Sequence, residues 1–106
     1  VTLLGYSFAK NPALFAAKRL LEEGLIGEVF EFRGFIDEDY VADTDLSWTW
    51  RLQKANAGLG VLGDLGCHLV SIAHFLLGPI ESLAAVVRTV HATRPESPGS
   101  TVSGAR

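Results

Sequence analysis

Two hydrophobic periods alternate along this chain. Residues 1–8 are apolar and extended in character, interrupted by Gly5 and Ser7. A helix start comes next. Asn11 is a favoured N-cap, because its side-chain oxygen can accept an orphaned backbone N–H. Pro12 stands at the first helical position, where its missing N–H costs little. Leu14, Ala17, Leu21 and Leu25 then share one face, with Lys18, Arg19, Glu22 and Glu23 largely elsewhere, and Gly24 is suited to a left-handed C-cap. Over residues 28–37 the period drops to two. Phe30, Phe32 and Ile36 fall on one side, and Glu31, Arg33 and Asp37 on the other, as in a half-buried strand. A second helix is expected over 64–77, with Leu65, Leu69, Ile72 and Leu76 as its stripe and Gly78-Pro79 as its stop. Residues 80–91, built around Val86, Val87 and Val90, read as a further strand.

Between these elements, residues 38–57 carry Glu38, Asp39, Asp43, Asp45, Trp48 and Trp50 with little periodicity. A loop of that length is uncommon unless it is functional or disordered. There is no internal repeat. The expected fold class is therefore α+β: an open, mainly antiparallel sheet with helices on one face. Residues 1–92 make the domain, and residues 93–106, with Pro95, Pro98 and Gly99, read as a loop or disordered tail.

Composition narrows the function. The chain has 106 residues, 48% of them hydrophobic, which suits one modest domain. A net charge of −3 argues against nucleic acid as a partner, since such domains gather Lys and Arg on one face. No unbroken run of about 18 apolar residues is present, so no membrane partner is expected. The single cysteine, Cys67, excludes an internal disulfide framework and makes the cytoplasm the default location. The apolar start, with no initiator Met and no basic leader, makes a fragment of a longer protein the expectation.

Candidate chemistry is concentrated in Ala57-Gly58-Leu59-Gly60-Val61-Leu62-Gly63-Asp64-Leu65-Gly66-Cys67-His68. If a helix starts at Asp64, the i,i+4 spacing puts Asp64 and His68 on one face. A carboxylate there can fix an imidazole's tautomer, and histidine is the usual residue for moving a proton near neutral pH. The preceding glycines permit tight turns and close approach of a ligand. Each residue also has an ordinary reading. Asp64 could serve only as an N-cap, and His68 as a core histidine with a satisfied hydrogen bond.

The segment resembles the Gly-Asp-x-Gly-x-His signature of the glucose–fructose oxidoreductase/inositol dehydrogenase/MocA family. Other landmarks occur in the family's order: Gly5-Tyr6-Ser7-Phe8 with Asn11-Pro12, Glu23-Gly24-Leu25-Ile26-Gly27-Glu28-Val29, Ser47-Trp48-Thr49-Trp50-Arg51, and Phe75-Leu76-Leu77-Gly78-Pro79-Ile80-Glu81. The likeness covers residues 1 to about 95 and places the chain in the C-terminal, substrate-binding and oligomerisation domain. It implies hydride transfer between NAD or NADP and a sugar or polyol carbon bearing a hydroxyl. His68 would take or give the hydroxyl proton. Asp64 would orient His68 or bind a substrate hydroxyl. Ser7 and Ser71 would be substrate contacts, Arg51 would meet a substrate oxygen or a cofactor phosphate, and the assembly would be a homo-oligomer.

The departures from the family are equally informative. No G-x-G-x-x-G follows a strand, because Gly58, Gly60 and Gly63 lack the βαβ setting and the downstream acid. The N-terminal dinucleotide-binding domain and the family's Glu-Lys-Pro lysine are absent from these residues. The expectation is a chain with no appreciable activity on its own. Arg51 could alternatively form a surface ion pair with Asp43 or Asp45. A zinc site from Asp64, His68 and either His74 or His91 is the lesser alternative, and would imply a metal-dependent hydrolase or isomerase. Cys67 reads as a small apolar filler, and Trp48 and Trp50 as stacking platforms or loop anchors. An oligomerisation or binding module without catalysis remains the other reading.

Overall fold

The computed structural model describes Val1, Thr2 and residues 4–96. Asn11 begins α1, Pro12–Glu22, as its sequence dictates: its Oδ1 accepts a hydrogen bond from the Ala13 N–H at 2.9 Å. At the other end Gly24 takes φ +71°, its N–H donates to the Leu21 carbonyl, and the Leu25 N–H donates to the Leu20 carbonyl. This pair of bonds is a Schellman closure, which satisfies carbonyls the helix would otherwise leave open. Lys18–Glu22 and Arg19–Glu23 ion pairs at 3.6 and 3.5 Å add i,i+4 contacts along α1.

The second helix does not begin at Asp64. A single α-turn, α2, spans Lys54–Ala57, and the chain then turns through Gly58 and Gly60, whose φ values of +61° and +58° favour glycine. A π turn, Leu62–Gly66, leads into α3, Cys67–Leu77. Residues 54–77 together have the length and apolar content of a membrane span. The two glycines break that run, however. Beyond them residues 61–77 run as one continuous helical stretch that includes the π turn, at the short end of the roughly 17–25 residues a bilayer crossing takes.

The chain divides into two compact units. The first comprises the described residues of Val1–Phe35 with Leu65–Leu83. In it α1 packs on α3 through an edge-to-face contact of Phe15 and Phe75, with centroids 5.2 Å apart, and the Lys18 ammonium donates to the Leu76 carbonyl at 3.0 Å. That carbonyl lies in the last turn of α3, where a cation is favoured. A short 3₁₀ turn, Phe8–Lys10, also packs against α3.

The second unit comprises Ile36–Asp64 and the described residues from Ala84 onward. Arg94 is its anchor. It is buried, and its guanidinium donates to the carbonyls of Val41 and Asp43, while the Trp48 N–H donates to the Pro95 carbonyl. The acid-rich loop is thus held by residues at the start of the segment read as a tail. The remainder of that segment, residues 97–106, lies outside the described residues.

The expected α+β fold, with its open, mainly antiparallel sheet, is overturned. There is no strand and no sheet among the described residues. Residues 28–37 and 80–91 have the composition of strands without forming one. A strand needs its backbone groups paired and one face covered, and β-propensity mostly measures how well side chains fit such a surface. Here Phe30, Phe35 and Val86 are 90%, 84% and 101% exposed, and among the described residues no aliphatic or aromatic side chain other than that of Pro95 is buried. The alternating pattern is present and its cover is not.

With so little interior, capping should weigh heavily in stability. Asn11→Ala is expected to lower the unfolding free energy by about 1 kcal/mol in urea denaturation. A change within the error of the measurement would show that α1 is held by other means.

Candidate functional site

His68 sits in the first turn of α3, and the chain's N-terminal segment brings two aromatic rings to it. The Phe8 ring lies 4.5 Å from the imidazole centroid at a 31° tilt, and the Tyr6 ring meets it edge-on at 6.0 Å. The His68 Nδ1 is buried and has no hydrogen-bond partner among the described residues. An unpaired buried ring nitrogen is costly, and His68 itself lines neither of the two cavities described below. The resemblance singled out Ser7 in this segment. Ser7 is exposed and precedes the 3₁₀ turn, accepting the Lys10 N–H at its carbonyl, while its side chain caps nothing. Its neighbours Tyr6 and Phe8 make the contacts with His68. Their sequence spacing places them on opposite sides of Ser7, but nothing in the pattern ties them to a histidine some 60 residues on.

Ser71, one turn along α3, lines a cavity of about 300 Å³ with Tyr6, Cys67, Val70 and His74. Cys67 and Ser71 are half-buried and His74 is exposed. No cluster of three or more His, Cys, Asp or Glu side chains placed to hold a metal occurs among the described residues.

Asp64 lies in the π turn, so it is not the N-cap of α3; that place belongs to Gly66, which has no side chain to offer. The i→i+5 bonding of a π turn also means the α-helical spacing argument for Asp64 and His68 does not carry over unchanged. Asp64 belongs to the second unit and His68 to the first. In its own unit the Asp64 carboxylate is held from two sides. The Tyr40 hydroxyl donates to Oδ2 at 2.9 Å, and the Arg51 Nε lies 3.6 Å from the same oxygen.

Arg51 therefore pairs with Asp64, an acid that its sequence neighbourhood does not suggest. It sits in a 3₁₀ turn, Trp50–Leu52, with its guanidinium 4.4 Å from the centre of the Trp50 ring. The ion pair is about half exposed, so it is worth at most about 1 kcal/mol. Arg51 also lines an open cleft of about 1070 Å³ with Trp48, Lys54, Leu59, Arg88 and His91. Asp43 is used locally, its Oδ1 accepting the Asp45 N–H at 2.9 Å.

Tyr40 is the residue that sequence reasoning missed. The hydrogen bond to Asp64 raises the phenol above its ordinary value; desolvation and the charges of Asp64 and Glu38 add to the effect, and Arg51 opposes it. Tyr40 stands in a run of acids with no periodic or motif signal, so only the folded loop reveals the contact.

Gly58 and Gly60 precede the π turn and Gly63 lies within it.

Residues 15–103 match the model of the GFO/IDH/MocA C-terminal domain. The chain is 36% identical over 99 residues to a levoglucosan dehydrogenase of Pseudarthrobacter phenanthrenivorans, covering 93% of this chain and 25% of that protein. It is 32% identical over 95 residues to an uncharacterised oxidoreductase of Synechocystis, covering 86% of this chain and 24% of that one. The chain thus spans about a quarter of the length of the curated relatives it matches. The Gly-Asp-x-Gly-x-His segment and its collinear landmarks are those of a known group, and the chain belongs to the GFO/IDH/MocA family of oxidoreductases, in its C-terminal domain.

Proposed function

We propose that these residues are the substrate side of an NAD- or NADP-dependent dehydrogenase acting on a sugar or polyol hydroxyl. The observation that carries this reading is His68: a half-buried imidazole flanked by Tyr6 and Phe8, with a buried nitrogen that no described residue satisfies. In this reading the imidazole exchanges a proton with a hydroxyl as its carbon gains or loses hydride. Asp64, held by Tyr40 and Arg51, supplies a fixed acceptor for a substrate hydroxyl. Ser7 and Ser71 serve as further polar contacts, and Trp48 as a stacking face beside Arg51. The levoglucosan of one relative's name supports a carbohydrate substrate. The dinucleotide, which accepts or supplies the hydride, is held by residues outside this chain's described segment.

In the full-length protein, His68→Asn is expected to lower kcat by about 100-fold or more in a nicotinamide absorbance assay. The isolated 106-residue chain is expected to show no turnover with NAD or NADP. Wild-type rates in the variant would remove His68 from the chemistry.

The second reading, an assembly surface, is favoured by Phe30, Phe35 and Leu83 in the first unit and Val86 and Val90 in the second, all at least 76% exposed. Apolar exposure on that scale marks an interaction surface. Light scattering is expected to find the isolated chain in homo-oligomers, and a monomer at high concentration would contradict this.

A further inference from the structure

Tyr40, Asp64, Arg51 and Arg94 form one connected arrangement inside the second unit. Tyr40 is carried on a turn closed by the Ala42 N–H donating to the Asp39 carbonyl at 2.8 Å. Immediately after that tyrosine, the Val41 and Asp43 carbonyls receive the two arms of the buried Arg94 guanidinium. A buried cation tied to two backbone carbonyls fixes the turn, because leaving either end unpaired would be costly. The fixed turn delivers the Tyr40 hydroxyl to Asp64 Oδ2, the same oxygen that Arg51 approaches.

We propose that Tyr40 is a positioning residue for Asp64, set in place by Arg94, and that it holds the carboxylate in the orientation in which a substrate hydroxyl meets it. The inference rests on the role proposed for Asp64 in substrate binding. Tyr40 touches no reacting atom and acts through the carboxylate alone. Its phenol is held above its ordinary value of about 10. With the phenol raised in the folded state, the contact is fully present below about pH 10 and is lost as pH rises through the raised value. Across the neutral range Tyr40 remains a donor.

The test uses the full-length protein with Y40F, D64N, H68N and the Y40F/D64N double variant. Y40F is expected to lower kcat/KM about tenfold with an unchanged Tm, and the double variant to be no worse than D64N alone, because both changes remove the same interaction. Alkaline ultraviolet titration provides a readout independent of activity: in D64N the Tyr40 phenol should ionise at lower pH than in wild type. Additive losses in the double variant, full activity in Y40F, or an unmoved Tyr40 titration in D64N would each overturn the inference. If D64N and H68N are themselves fully active, the proposed function falls instead; if they are impaired and Y40F is not, only the role of Tyr40 falls.

Discussion

Shortage of interior governs this chain. Among the described residues the buried ones are Arg94 and its neighbour Pro95, and no larger apolar side chain joins them. Local order must therefore come from directional contacts rather than from a packed core. The Asn11 cap, the Gly24 closure and the Lys18 bond to the end of α3 hold the helices of the first unit. The guanidinium of Arg94 does the same for the loop of the second. Hydrogen bonds of this kind each contribute about 1 kcal/mol, so the elements stand on a few named groups.

Within each unit, those directional contacts reach a residue proposed for chemistry. α3 is clamped by α1 at its far end and carries His68 at its near end, where Tyr6 and Phe8 flank the ring. Asp64 is tied by a phenol and approached by a guanidinium.

Much of the helical content was legible in the sequence. Asn11-Pro12 and Gly24 bound α1 as their chemistry requires, and Gly78 at φ +95° ends α3. The start of the second helix was not legible, because Asp64 has the residue type of an N-cap, and the choice of a π turn there is not encoded in apolar periodicity. The strand expectation for Phe30, Phe32 and Ile36 failed because alternation states which face wants cover, not whether a partner supplies it. In the site, His68 and Asp64 were visible through the Gly-Asp-x-Gly-x-His motif. Tyr40 and Arg94 were not, since a contact spanning 24 residues and another spanning 51 or more leave no local pattern.

The central claim is that the His68 ring meets a substrate hydroxyl. A crystal structure of the full-length protein with nicotinamide cofactor and a sugar or polyol bound tests this most directly. The expected result is a His68 ring nitrogen about 2.6–3.2 Å from a substrate hydroxyl on the carbon facing the nicotinamide, with Phe8 still against the imidazole. A substrate hydroxyl met by other groups, with the His68 ring sealed from the ligand, would contradict it.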